Sequence, residues 1–140
     1  MRISRRDAKA MGISEDQLPP AKRSKYRNVR TEYNGRTYAS KAEANWAARL
    51  DLAGDRWWWL PQVAFELGDE RYVVDFLVFG RWREGGRNFW DVVAHDVKGF
   101  ETPKFKKVRK LWQRYGPCPL VIVKRDGKRG WQTETIEGKR

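Results

Sequence analysis

Two apolar stretches, each broken by an acid, constrain this chain more than any other feature. The first is Val73-Val74-Asp75-Phe76-Leu77-Val78-Phe79 and the second is Val92-Val93-Ala94-His95-Asp96-Val97-Lys98-Gly99. Both read as β-strands, rich in Val and Phe and separated by turn formers. Side chains alternate along a strand, so Asp96 and Lys98 share one face, with Val97 and His95 on the other. Asp91 is out of phase with Asp96 and points away. A carboxylate inside an apolar strand is costly unless it is paired or binds a metal. These strands therefore mark a candidate metal-dependent site for phosphate chemistry.

The remaining elements follow in order. Residues 1–25 are polar and basic, with Pro19-Pro20 interrupting any helix, and read as a flexible basic arm that orders on a polyanion. Residues 26–140 hold no repeat and no second core, so they form a single domain, as a length of 140 suggests. Asn34-Gly35 between β-formers predicts a hairpin. Its arms interleave Arg27, Arg30 and Arg36 with Tyr33 and Tyr38, a mixture able to grip a backbone and stack on bases. Ser40-Lys41-Ala42-Glu43 is a capping box opening a helix that runs to about Ala53, with Trp46, Leu50 and Ala53 as its apolar stripe. Glu43 has two readings: a partner of the helix cap, or an inward carboxylate joining the strand acids.

Trp57-Trp58-Trp59 cannot all face one core, so some pack beneath the helix and one is exposed. Gln62 to Leu67 alternates as a strand, and a turn at Gly68-Asp69-Glu70 leads into the Asp75 strand. Gly80 to Asn88 reads as a polar connection. Thr102-Pro103 starts a second helix. Phe105, Val108, Leu111, Trp112 and Tyr115 give that helix an apolar face. Lys104, Lys106, Lys107, Arg109 and Lys110 give it a basic one, which reads as a wall for phosphates. Gly116-Pro117 ends it. Leu120-Val121-Ile122-Val123 is a short buried strand, and the chain from Lys124 onward reads as a basic, Gly-rich tail. A helix between the last two strands suits a crossover to a parallel neighbour, giving a mixed sheet flanked by helices.

The formal net charge of +12 favours an anionic partner, through steering and counterion release. Cys118 is the single cysteine, which excludes an internal disulfide and is compatible with a reducing cytoplasm. No apolar run approaches a membrane span, and no apolar stretch of a secretory signal follows the basic N-terminus.

In this frame Asp75 and Asp96 lie on adjacent strands, with Glu43 approaching from the helix. Two carboxylates about 4 Å apart repel by roughly 4 kcal/mol at an effective dielectric of 20. Either their pKa values rise or a divalent cation joins them, and carboxylate oxygens favour Mg²⁺ or Mn²⁺. Lys98 is placed to steady the attacking water or the charge growing on phosphorus.

Ser40-Lys41-Ala42-Glu43, Val74-Asp75-Phe76 and Asp96-Val97-Lys98-Gly99 together resemble the PD-(D/E)xK nuclease superfamily. They are most similar to its small phage-encoded endonucleases, Holliday-junction resolvases among them. The resemblance spans about Tyr26 to Val123. It implies a restriction-endonuclease-like αβββαβ core in the α/β class. It also implies divalent-metal-dependent hydrolysis of DNA leaving 5′-phosphate ends, often by a homodimer, in the cytoplasm of a phage host. Residue by residue, Asp75 and Asp96 bind metal, Glu43 completes the metal site or holds its water, and Lys98 acts in catalysis. Gln62 lies where some members place a helper. Val74 replaces the Pro of the motif name, and Asp96 is the shorter of the permitted acids. The leading expectation is a structure-selective endonuclease acting on branched DNA. The rivals are a nicking or restriction-type endonuclease and a non-catalytic nucleic-acid-binding module on the same fold.

Overall fold

The computed structural model describes residues 10–12, 29–127 and 130–139. The N-terminal arm, apart from residues 10–12, and Arg27 lie outside them. Strands β1 (Thr31–Tyr33) and β2 (Arg36–Tyr38) form the hairpin expected from Asn34-Gly35. Both turn residues have positive φ, 48° and 78°, as a tight two-residue hairpin turn needs. The hairpin is docked, not free. Tyr38 is buried against Phe76, and the Tyr33 hydroxyl donates to Asp51 Oδ2 at 2.7 Å. This corrects the reading of Tyr38 as a base-stacking residue, since its ring belongs to the core.

Helix α1 (Lys41–Asp51) is capped by Ser40 and buries Ala44, Trp46, Ala47 and Leu50. It ends before Ala53, and a 3₁₀ turn at Gly54–Arg56 leads directly into the sheet. Strands β3 (Trp57–Leu67), β4 (Glu70–Glu84) and β5 (Arg87–Val97) form an antiparallel meander. Helix α2 (Pro103–Tyr115) crosses over to β6 (Leu120–Asp126), which is parallel to β5. β7 (Gly130–Ile136) closes the sheet antiparallel to β6, in the order β3-β4-β5-β6-β7. The fold is α/β, with a mixed five-stranded sheet. Among the described residues, no helix is long and apolar enough to cross a membrane.

Three stretches not assigned to strands in the sequence are strand. Trp57 to Pro61 belongs to β3, residues 80–84 and 87–91 extend the β4–β5 hairpin, and Gly130 to Ile136 is β7. Each lies at the sheet's margin, where only partial burial is demanded, so the alternating pattern that reveals a strand is weak there.

The sheet divides the core in two. Trp46, Ala47 and Leu50 pack on Phe76, Val78, Val97 and Val123 on one face. Phe105, Val108 and Trp112 pack on Leu67, Val74, Ala94, Leu120 and Ile122 on the other. Strand alternation should keep Tyr72, Val74, Phe76 and Val78 on one face. Tyr72 and Val74 nevertheless join the α2 cluster, while Phe76 and Val78 join the α1 cluster. The strand changes face at Asp75. Opposite it, Gln62 has φ 53°, and the β3–β4 pairing passes from Pro61↔Phe76 to Val63↔Val74 without a Gln62–Asp75 pair. Pro61 supplies no N–H to a ladder, which suits a break at this point. The β4–β5 ladder also stops at Phe76↔His95. A kink therefore sits at the centre of the sheet, at the acid that the sequence marks out.

Candidate active site

At the kink, side chains take over the hydrogen bonding that the backbone gives up. The Val97 N–H donates to Asp75 Oδ2 at 2.9 Å, and the Asp75 N–H bonds to the Asp96 carboxylate. Each acid thus satisfies a backbone donor on the other's strand where β4 and β5 part. The Gln62 amide reaches Asp75 Oδ1 at 3.4 Å across the β3–β4 break. A backbone N–H favours an ionised acceptor, but burial outweighs it here, and Asp75 is pushed above the usual carboxylate range.

Asp96 and Lys98 share a face, as the strand phase predicts, and Lys98 Nζ lies 3.0 Å from Asp96 Oδ2. The ammonium also sits 4.8 Å from the Phe105 ring centroid and 5.6 Å from that of Tyr72. These rings fix its aliphatic stem and its direction. The Tyr72 hydroxyl donates to the same Asp96 oxygen. Asp96 is only 2% exposed, and burial raises its pKa to about 6 in spite of Lys98. Tyr72 was not singled out in the sequence. It lies three residues before Asp75, so simple strand alternation would place it opposite that acid.

Glu43 satisfies both of its readings together. Its backbone N–H donates to Ser40 Oγ at 3.1 Å, the Ser40 hydroxyl lies 3.3 Å from Glu43 Oε1, and the Ala39 N–H also bonds to the Glu43 carboxylate. Its pKa nevertheless rises to about 7, first through burial and then through the charge of Asp75, with Asp96 adding to it. The cap fixes the rotamer that brings this carboxyl toward the strand acids.

A cleft of about 200 Å³ is lined by Glu43, Asp75, Val97, Lys98, Gly99 and residues at the start of α2. Asp96 does not line it; it stands behind Lys98. A second depression, of about 270 Å³, is lined by Arg30, Arg36, Pro61 and Gln62 and shares Glu43 with the first. Glu43 lines both, with the strand acid Asp75 in one and the two arginines in the other.

Lys41 is exposed at the start of α1, as are Lys104, Lys106, Lys107 and Lys110 on α2. Lys107 pairs with Glu70 at 2.8 Å. Arg109 is bound by Glu134, at 2.7 Å, and by Glu101, which also holds Lys124. These carboxylates hold Arg109 as a brace between α2, β7 and the loop before α2. The basic wall on α2 is correspondingly narrower than the sequence suggests. His95 is buried on the opposite face from Asp96, with Nδ1 accepting the Trp46 indole N–H at 3.1 Å. Burial lowers its pKa to about 4, so it is a neutral packing residue.

Among the described residues, no three His, Cys, Asp or Glu side chains form a set able to hold a metal ion by themselves. The donors that face the cleft are the carboxylates of Glu43 and Asp75. Mg²⁺ is characteristically held by one or two carboxylates, with waters and substrate phosphate completing its shell. The donor chemistry therefore fits Mg²⁺ or Mn²⁺ shared with a phosphate, not a closed protein cage.

No protein-family model, curated protein or solved structure matches this chain.

Proposed function

We propose that this chain is a divalent-metal-dependent DNA endonuclease, with a restriction-endonuclease-like core and a preference for branched DNA. One observation carries the reading. Two desolvated carboxylates, Glu43 and Asp75, open with Lys98 onto one cleft, and Glu43 also lines a neighbouring depression that holds Arg30 and Arg36. A protein that only bound nucleic acid would gain nothing from inward carboxylates that repel phosphate.

Glu43 and Asp75 would hold the ion, with the charge of Asp96 behind them. When bound, the ion supplies Lewis-acid charge and a water of lowered pKa. Lys98, held by Asp96 and two aromatic rings, presents a fixed positive charge to the phosphate as negative charge builds on it. Glu43 is placed to accept the proton of the attacking water. Gln62 orients Asp75 and lines the route from the basic depression. Arg30 and Arg36 bind the flanking phosphates, and Lys104, Lys106 and Lys110 extend that field. Water becomes bonded to phosphorus, the bond to the 3′ oxygen breaks, and a 5′-phosphate and a 3′-hydroxyl remain. Paired cuts across a junction call for two such sites, hence for a homodimer.

A panel of labelled junction, fork, flap and duplex DNA, incubated with Mg²⁺ or with EDTA, tests this reading. Cleavage that requires Mg²⁺ and is fastest on branched substrates is expected. Cleavage that persists in EDTA, or binding without cleavage of any substrate under Mg²⁺ or Mn²⁺, would count against it.

A further inference from the structure

The half of the sheet that α2 leaves uncovered carries an aromatic surface. Trp58, Phe79 and Val92 pair across β3, β4 and β5, and the next same-face pair on β4–β5 is Arg81↔Trp90. On the other side of that row, Leu60 pairs with Leu77, and Leu77 packs against the α2 cluster. Cover by α2 ends at this point. Trp58 is 58% exposed and Trp90 54%, and the Trp58 ring lies 5.0 Å from Phe79, centroid to centroid, at 37°. Two large rings left in water on one sheet face form a patch that marks a binding surface.

We infer that unpaired bases of the DNA substrate stack on this face, on Trp58 and Trp90. Three observations favour bases over a second copy of the chain. The net charge of +12 attracts a polyanion. The patch is aromatic and shared with an arginine, the combination that holds single-stranded nucleic acid through stacking and phosphate attraction. It also shares a strand with the site: Trp58 and Leu60 stand on the α2 face of β3, the edge strand whose Pro61 and Gln62 line the basic depression on the α1 side. At about 3.3 Å per residue, Trp58 and Gln62 are roughly 13 Å apart. A strand that leaves a duplex at the cleft reaches the aromatic face by passing over the edge formed by β3. This surface would supply the preference for branched over fully paired DNA, and to that extent the inference rests on the nuclease reading.

The test is binding of labelled oligo(dT), splayed fork and blunt duplex in EDTA, alongside cleavage in Mg²⁺. The proteins are the full chain, Trp58→Ala, Trp90→Ala and Trp58→Phe. Each alanine variant is expected to weaken binding of oligo(dT) and fork about tenfold or more, the loss typical of one stacked base, while duplex affinity is unchanged. Trp58→Phe should recover most of the loss, because its ring still stacks. Oligo(dT) and fork affinities equal to wild type in both alanine variants would overturn the inference and leave the nuclease reading standing. Tryptophan-dependent oligo(dT) binding without cleavage would uphold the surface and remove the nuclease. A dimer in sedimentation that Trp58→Ala splits, with base binding intact, would assign the face to a second copy and overturn the inference.

Discussion

Asp75→Asn is expected to lower the cleavage rate by roughly two to four orders of magnitude while leaving the fold and DNA affinity intact. Loss of a positioned acid–base or electrostatic group typically costs this much. The amide isostere is the informative substitution because Asp75 has two roles. Its Oδ2 accepts the Val97 N–H at the point where β4 and β5 part, and an Asn carbonyl oxygen can still accept that bond. What is lost is the charge, which burial makes unfavourable in the free protein. Urea denaturation should therefore find Asp75→Asn as stable as wild type or more so. A residue that lowers stability and is indispensable for rate is the signature of a functional site. Unchanged single-turnover cleavage by Asp75→Asn would remove Asp75 from the chemistry. Lys98→Ala is a less clean probe, since it leaves Asp96, 2% exposed, without its cation. Breaking a buried pair in this way commonly costs about 3–5 kcal/mol.

The largest effect on stability is expected for Trp112→Ala. Trp112 has no exposed surface and meets the edge of Phe65 at 5.1 Å between centroids. Its indole N–H donates to the Cys118 carbonyl at 2.7 Å, tying α2 to the turn that leads into β6. Truncating a buried Trp costs about 3–5 kcal/mol through lost transfer energy and the cavity left behind. The Cys118 carbonyl loses its partner as well. Against a total of roughly 5–15 kcal/mol for a domain, this is a large share. Thermal unfolding should show a fall in Tm of roughly 10–20 °C, at a few degrees per kcal/mol for a chain of this size. A fall of only one or two degrees would mean that α2 contributes far less to the core than its packing indicates.

The ease of reading this fold from its sequence varies with burial. Asn34-Gly35, the Ser40 cap and the Thr102-Pro103 start are local signals, and each produced its element. Leu120 to Val123 was legible because a fully buried strand has no polar face to disguise it. β7 was not, since its alternation is faint and Lys, Arg and Gly precede it. Trp57-Trp58-Trp59 carried no clear strand signal because three bulky residues cannot share one core. In β3 they need not do so: Trp59 packs inward and donates to Asp51, while two rings, Trp57 and Trp58, are exposed where one was expected, because alternation and the sheet edge leave both in reach of water.

The candidate site divides in the same way. The Asp96–Lys98 pairing followed from strand period alone. The change of face at Asp75 did not, because it depends on Gln62 at positive φ and on two ladders opening together. Pro61 inside a strand was the one local hint of it. Arg109 shows the limit of reading charge along a helix: its partners, Glu101 and Glu134, come from a loop and from a strand that was not anticipated.

Glu43 and Asp75, backed by Asp96, are proposed to bind a divalent cation at the cleft, and Mn²⁺ titration followed by electron paramagnetic resonance, at pH 8 and at pH 5.5, decides whether they do. Glu43 at about 7 and Asp96 at about 6 are both raised, so at pH 5.5 a proton on Glu43 competes with the ion and a proton on Asp96 removes the charge behind it, and at pH 8 neither is present. Bound Mn²⁺ at pH 8 is expected for the wild type, weakened at least tenfold at pH 5.5, weakened similarly by Glu43→Gln and abolished by Asp75→Asn. Mn²⁺ binding that neither substitution alters would remove these acids from the metal site, as would no binding at millimolar Mn²⁺ with DNA present.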